Sequence, residues 1–340
     1  MNPGQPPPNS LHGSDEAKPP DRAEKRWWLW SKRVATAAFF GVVAFLIYTQ
    51  ARAIQWHEVL SAMRRYPGSM VATAAGLAAG SLLLYSCFDL LGRRYTGHRL
   101  GKAKVMAVTF VSYVFNLNLG SLVGGVALRY RLYTRFGLKY GTVTRILSMS
   151  MLTNWVGYIL LAGVLFSWRP LPLPPNWKLG GEGLRVLGFA MIALGIAYLM
   201  MCAFSRQRTF VLRGHEIDLP SARMAFLQAG MGAANWLLIG SVLYVLLQQR
   251  VPLQVVASVL LLAAVAGVIA HVPAGLGVLE AVFVALLDHL VPRSELLAAL
   301  VSYRLIYYLV PLSVAVLVFL MLEANARSRL PDRVVSDRGP

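Results

Sequence analysis

Charge is scarce in this sequence. Asp, Glu, Lys and Arg make up only 14% of 340 residues, and 15 are acidic; an ordinary soluble domain carries roughly 25%. Beside 56% apolar residues, that deficit excludes a soluble enzyme. Cysteine is nearly absent. Cys87 and Cys202 lie inside apolar stretches, with neither the density of a disulfide scaffold nor metal-ligand spacing. Hydrolytic and nucleotide motifs are missing too: there is no H-E-x-x-H, no G-x-S-x-G elbow and no Walker loop. His271 has no second His, Cys or paired carboxylate at ligand spacing, so it reads as a capping or packing residue. No catalytic residue, no metal and no cofactor is expected, and the chain reads as no enzyme.

What is present is apolar sequence in blocks long enough to cross a bilayer, which takes about 20 helical residues. The fold class expected is all-α: a polytopic integral membrane protein. Full spans are predicted at 34–49, 68–91, 146–166, 186–204, 224–247 and 296–322. Residues 1–24, rich in Pro, Asn, Ser and charge, read as a disordered cytoplasmic tail. Residues 25–325 form a single transmembrane domain, and 326–340 a short basic cytoplasmic tail. Trp27, Trp28 and Trp30 among basic residues make an interfacial anchor. The soluble parts are small: a proline-rich connector at 169–183, and a two-stranded ribbon at 210–219 turning at Arg213-Gly214.

Two further apolar regions are broken. Residues 105–128 contain Asn116, Asn118, Gly120, Gly124 and Gly125, and residues 255–290 contain Pro273, Gly275 and Gly277. Backbone freed by Gly and Pro at bilayer depth must be satisfied by protein or a wet cavity, so each region reads as a re-entrant hairpin. Charge placement agrees. The net charge of +18 lies in short clusters between apolar blocks, a positive-inside pattern rather than a nucleic-acid surface. With both hairpins re-entrant and a cytoplasmic N-terminus, 23 Lys/Arg fall inside and 8 outside. Letting 105–128 cross once makes that 15 against 16, which the rule disfavours. Two broken segments entering from opposite faces form a pseudo inverted repeat of the kind that builds transporter sites near the midplane.

Charges at bilayer depth are candidate functional groups. Asp89, at the end of the second span, reads as an interfacial acid, and Asp288 lies near the opposite interface. Glu280 and Arg304 fall well inside apolar sequence at matching depth. Counted at 1.5 Å per residue, each lies about 15 Å from the external face. They are expected to pair, either as a structural lock or as a substrate contact. Arg129-Tyr130-Arg131-Leu132-Tyr133 interleaves cations with aromatics. It is either positive-inside flanking or a headgroup site, since Arg recognises phosphate oxygens in bidentate fashion.

The run Phe115-Asn-Leu-Asn-Leu-Gly-Ser-Leu-Val-Gly-Gly-Val-Ala-Leu-Arg-Tyr-Arg-Leu-Tyr133, with Val272-Pro-Ala-Gly-Leu-Gly-Val-Leu-Glu280 and Tyr303-Arg-Leu-Ile-Tyr-Tyr308, resembles the lysylphosphatidylglycerol synthase transmembrane-region family. The likeness is to its YbhN-type inner-membrane branch and covers roughly residues 30–325. Where the family has Pro-Gly-Gly, this chain has Pro273-Ala274-Gly275, a small-for-small change. The family resembles the flippase half of the multiple peptide resistance factor, which moves aminoacylated phosphatidylglycerol between leaflets. The chain ends soon after Leu322, so no aminoacyl-transferase domain is expected. The resemblance implies a lipid flippase or transporter in a bacterial-type cytoplasmic (inner) membrane, with both termini cytoplasmic. Substrate-binding candidates are Asn116, Asn118, Arg129, Arg131, Glu280 and Arg304; the hairpin breaks are Gly120, Gly124, Gly125, Pro273, Gly275 and Gly277. Expected partners are membrane lipids, above all anionic phospholipid, and a lipid-synthesis enzyme as a second class, with no nucleic acid. Alternative readings are a non-catalytic partner of such an enzyme, or a secondary transporter of a small anion.

Overall fold

The computed structural model describes residues 61, 64, 66–168, 180–205, 209–212, 215–270 and 277–327. The span expected at 34–49, both tails, the break residues Pro273 and Gly275, and most of the proline-rich connector lie outside the described residues.

In a medium without water, each segment must satisfy its own backbone hydrogen bonds, and helices do so. The described chain is accordingly helical apart from one ribbon. Helices α1 (Gly68–Ser86) and α2 (Phe88–Thr96) follow one another through Cys87, which keeps right-handed helical angles. Next come α3 (Lys102–Leu119), a π-helical segment (Ser121–Ala127) and α4 (Leu128–Arg135). Two long helices follow, α5 (Tyr140–Trp168) and α6 (Gly181–Phe204). Strands β1 (Thr209–Leu212) and β2 (His215–Asp218) pair antiparallel from Thr209↔Asp218 to Leu212↔His215, so the ribbon turns at 213–214 as expected. The chain closes with α7 (Ala222–Leu246), α8 (Leu253–Ala270), α9 (Val278–Leu287), α10 (Arg293–Arg304), a second π-helical segment (Leu305–Leu309) and α11 (Val310–Arg327).

Among the described residues, six stretches are long and apolar enough to cross a membrane: Gly68–Thr96, Tyr140–Trp168, Gly181–Phe204, Ala222–Leu246, Leu253–Ala270 and Arg293–Ala324. Five coincide with predicted spans. The sixth, α8, is the leading arm of the second broken region. Its 18 residues make about 27 Å at 1.5 Å each, whereas the ten residues of α9 make only about 15 Å. The two arms are therefore unequal, which the sequence reading did not anticipate.

Lipid offers little hydrophobic drive for one helix to meet another, so close approach depends on small residues. A Cβ on Gly157 of α5 would lie 2.2 Å from the carbonyl carbon of Gly232 in α7; these two backbones touch. Gly188 of α6 is also closely packed, its Cβ position 2.7 Å from the backbone nitrogen of Ser167. The outer face of α6 turns Val186, Phe189, Leu194, Ile196 and Phe204 outward, which suits acyl chains. From α5, the Tyr158 hydroxyl donates to the Leu261 carbonyl of α8 at 2.9 Å.

The first broken region closes on itself as a helical hairpin. Gly120 ends α3 at φ 87° and ψ 168°, a conformation essentially restricted to glycine. The chain then returns so tightly that a Cβ on Gly124 would stand 2.1 Å from the Asn116 backbone nitrogen. Gly125 leaves room for the Asn116 amide, its Cβ position 3.3 Å from Oδ1. After the second break, Gly277 starts α9 at φ 76° in the left-handed region.

Candidate functional site

Two ion pairs anchor the two broken regions, with their charges reversed. In each case the helix that follows a positive-φ glycine carries one charge, and a membrane helix carries its counter-charge. After Gly120, Arg129 on α4 meets Asp89 on α2. After Gly277, Glu280 in the first turn of α9 meets Arg304 at the end of α10.

The first pair is sealed from the surroundings. Asp89 is 0% exposed and Arg129 3%. Arg129 Nε donates to Asp89 Oδ2 at 3.1 Å, and the Tyr133 hydroxyl donates to the same oxygen at 2.8 Å. The other guanidinium nitrogens donate to the Gly125 carbonyl and to Ser150 Oγ, both at 3.3 Å. Arg129 and Tyr133 sit one helical turn apart, so one face of α4 presents both donors. Asp89 is thus enclosed by protein and paired, where the sequence suggested an acid reaching out to the interface. Helix α2 runs on to Thr96, which leaves the carboxylate about 10 Å inside the helix end at 1.5 Å per residue.

The second pair is bidentate and partly open. Arg304 donates from Nε to Glu280 Oε1 at 2.5 Å and from Nη2 to Oε2 at 2.9 Å. The Glu280 side chain keeps 21% of its surface exposed, against 5% for Arg304. The two-point fork-to-carboxylate geometry fixes both planes, and the helix dipole favours an anion in the first turn of α9. The Arg304 guanidinium also lies over the Tyr308 ring, 5.6 Å from its centroid.

Between the pairs runs a buried chain of aromatic rings and hydroxyls. Ser81, Tyr85 and Asp89 recur every four residues and share one face of α1 and α2. Ser81 Oγ donates to Asn235 Oδ1 at 2.8 Å and lies 2.7 Å from the Tyr307 hydroxyl. With its single proton directed at Asn235, Ser81 must accept from Tyr307. Tyr307 in turn accepts from Tyr113 at 3.2 Å, so the direction runs Tyr113 to Tyr307 to Ser81 to Asn235. The Tyr85 ring stacks on Tyr113, and Tyr303 stacks on Tyr307 beside Arg304. The π-helical turn at Leu305–Leu309 shifts the helical phase just after Arg304; such bulges are frequent at functional sites.

The remaining candidates divide. Arg131 points away from Asp89: its Nη2 is 3.0 Å from Glu323 Oε1 on α11, Arg135 pairs with the same carboxylate, and the Arg131 guanidinium lies over the Phe319 ring. Asn118 is buried, and its amide donates to the Val114 carbonyl of its own helix at 2.8 Å. Asn116 is half-buried beside Gly124 and Gly125. Among the described residues, no group of three His, Cys, Asp or Glu could hold a metal. Sequence reasoning missed Ser81, Tyr113, Ser150 and Asn235, and gave Tyr133 and Tyr307 only as members of longer runs. The four-residue spacing of Ser81, Tyr85 and Asp89 was the available signal for the first of these; nothing local marks Asn235.

Comparison with known proteins identifies a family for the chain. The family described as the lysylphosphatidylglycerol synthase TM region matches residues 34–315. The chain is similar to inner membrane protein YbhN of Escherichia coli, 42% identical over 308 residues that cover 90% of this chain and 96% of that protein. An uncharacterised Synechocystis protein is 30% identical over 295 residues, covering 85% and 91%. The phosphatidylglycerol lysyltransferase of Staphylococcus haemolyticus is 23% identical over 84% of this chain but only 33% of its own length. With that match across most of its length, the chain belongs to the lysylphosphatidylglycerol synthase transmembrane-region family.

Proposed function

We propose that this protein is a membrane lipid flippase or lipid transporter that carries a phospholipid headgroup between leaflets while the acyl chains stay in the bilayer. The observation that carries the reading is the buried polar chain inside an apolar helix bundle, ended by two reciprocal ion pairs beside the two broken regions. A bundle that needed only to fold would gain nothing from burying these charges, since apolar residues of similar volume are often as stable. Intramembrane ionisable groups mark transport pathways more often than they serve packing.

In this reading the broken regions are re-entrant hairpins from opposite faces, and the headgroup passes between them. Arg129 and Arg131 meet the phosphate, Glu280 and Arg304 open to admit the headgroup, and Asn116 and Asn118 line the first turn. The chain carries out no covalent chemistry. It sits in a bacterial-type inner membrane with both termini cytoplasmic, and its partners are anionic phospholipids. Its relatives' names support a tie to phosphatidylglycerol.

Reconstitution tests the proposal. Purified protein in liposomes containing fluorescent phosphatidylglycerol should make the inner-leaflet label reachable by an impermeant quencher within minutes. Liposomes carrying Gly120→Leu protein should move the label several-fold more slowly. Labelled lipid that crosses no faster with protein than without it would sink the transport reading.

A further inference from the structure

We propose that Asp89 is a proton-binding group that trades Arg129 for a proton when an anionic lipid headgroup engages Arg129, so that lipid binding is coupled to proton uptake. The inference rests on the lipid-transport reading and adds its coupling ion. It begins with a lopsided carboxylate. Both hydrogen bonds to Asp89 fall on Oδ2, from Arg129 Nε and the Tyr133 hydroxyl. Oδ1 is equally buried and has no hydrogen-bond partner among the described residues. A buried polar atom without a partner is costly and calls for an explanation; a carboxyl oxygen that is protonated during the working cycle is one.

Charge balance supplies the second argument. Arg129 cannot shed its proton, so its charge must always be matched. When a phosphate oxygen of a lipid takes Arg129, the Asp89 carboxylate is left charged in a sealed, apolar setting, where an ionised group is strongly disfavoured. Water supplies one proton, which bonds to a carboxyl oxygen. The site then holds a neutral acid and an Arg–phosphate pair, with the same net charge as before. Release of the lipid reverses both steps. No electron moves, and one proton accompanies one phosphate charge.

The other groups around Asp89 do not replace it in this role. Tyr133 and Arg129 face it from α4, Ser150 reaches the same guanidinium from α5, and Tyr85 lies beside Arg129 from α1. The Thr109 hydroxyl of α3 faces Tyr133. His98, beyond the end of α2, is an alternative proton acceptor within electrostatic reach of Asp89. Burial, and then the charge of Arg93, hold its imidazole below the ordinary value, with Asp89 acting in the opposite direction. His98 is therefore the control.

The experiment is calorimetric titration of the full-length protein, in a non-ionic detergent, with short-chain phosphatidylglycerol. Buffers of different ionisation heat count the protons exchanged. Wild type should take up about one proton per lipid, and its affinity should rise by up to about tenfold for each pH unit lowered, the limit for one linked proton. Asp89→Asn should bind the lipid with no proton uptake and no pH dependence, and His98→Gln should retain the uptake. Tyr133→Phe, a milder change for use if Asp89→Asn fails to fold, should let uptake persist to higher pH because the carboxylate loses a donor. Lipid binding by wild type without proton uptake would overturn the coupling alone. So would uptake that survives in Asp89→Asn, disappears in His98→Gln, or keeps its pH range in Tyr133→Phe. Absence of any phosphatidylglycerol binding by folded wild type would overturn the lipid reading, and the coupling with it.

Discussion

Glu280 and Arg304 meet edge to edge inside the bundle, with Nε 2.5 Å from Oε1 and Nη2 2.9 Å from Oε2. They stand 24 residues apart in sequence, on two consecutive helices. Neutralising either partner strands the other, so Glu280→Gln or Arg304→Gln should each cost about 3 kcal/mol. That is the low end for a buried pair, because Glu280 keeps a fifth of its side chain exposed. The exchange Glu280→Arg with Arg304→Glu should recover part of the loss. Thermal unfolding in detergent, read as a double-mutant cycle, measures the coupling; additive losses would show that the pair contributes nothing as a pair.

The glycines at the breaks separate into two kinds, and substitution should tell them apart. At Gly120 and Gly277 there is open space for a side chain but a positive φ. Leucine there strains the backbone by roughly 1–3 kcal/mol without breaking any packing. Gly120→Leu and Gly277→Leu should therefore insert and express near normally while lipid movement falls several-fold. At Gly124 the obstacle is the Asn116 backbone, so Gly124→Leu should lose the folded protein altogether. Monodisperse size-exclusion profiles beside transport rates give the comparison, and full transport by the first two variants would reject a functional role for the turns.

Arg131 is half-exposed and shares Glu323 with Arg135, a position suited to catching a phosphate before it reaches the buried pair. Arg131→Gln should raise the mole fraction of anionic lipid needed for half-maximal transport by a few-fold and leave the maximal rate unchanged. The difference from wild type should shrink as salt rises from 0.01 to 1 M, where the screening length falls from about 30 Å to about 3 Å. A drop in maximal rate with unaltered half-saturation would place Arg131 elsewhere in the cycle.

Topology can be read with single cysteines introduced after Cys87 and Cys202 are replaced. Gly137, in the turn after α4, should be labelled only from the cytoplasmic side, and Gly180, before α6, only from outside. The motive is the 23-to-8 division of Lys and Arg. External labelling at Gly137 would mean that the first broken region crosses the bilayer, ending the re-entrant reading.

Membrane helices are legible in sequence because the hydrophobic requirement is local: each span must satisfy the bilayer by its own composition and length. Five of the six apolar helices, the turns at Gly120 and Gly277 and the ribbon at 210–219 followed from composition, length and the special backbone freedom of glycine. The Glu280–Arg304 pair followed as well, because two residues counted from the same face at a fixed rise per residue arrive at the same depth. Asp89 and Arg129 lie 40 residues apart, and counting failed for them. The acid taken for an interfacial residue is instead enclosed by protein, because helices distant in sequence cover it. Only the tertiary structure decided that its partner is Arg129 rather than Arg131, since the rotation of α4 against α2 selects which of two arginines faces inward. That rotation depends on contacts such as Gly124 against Asn116 and Gly92 against Ile146. These are properties of two surfaces meeting, and no single stretch of chain contains them.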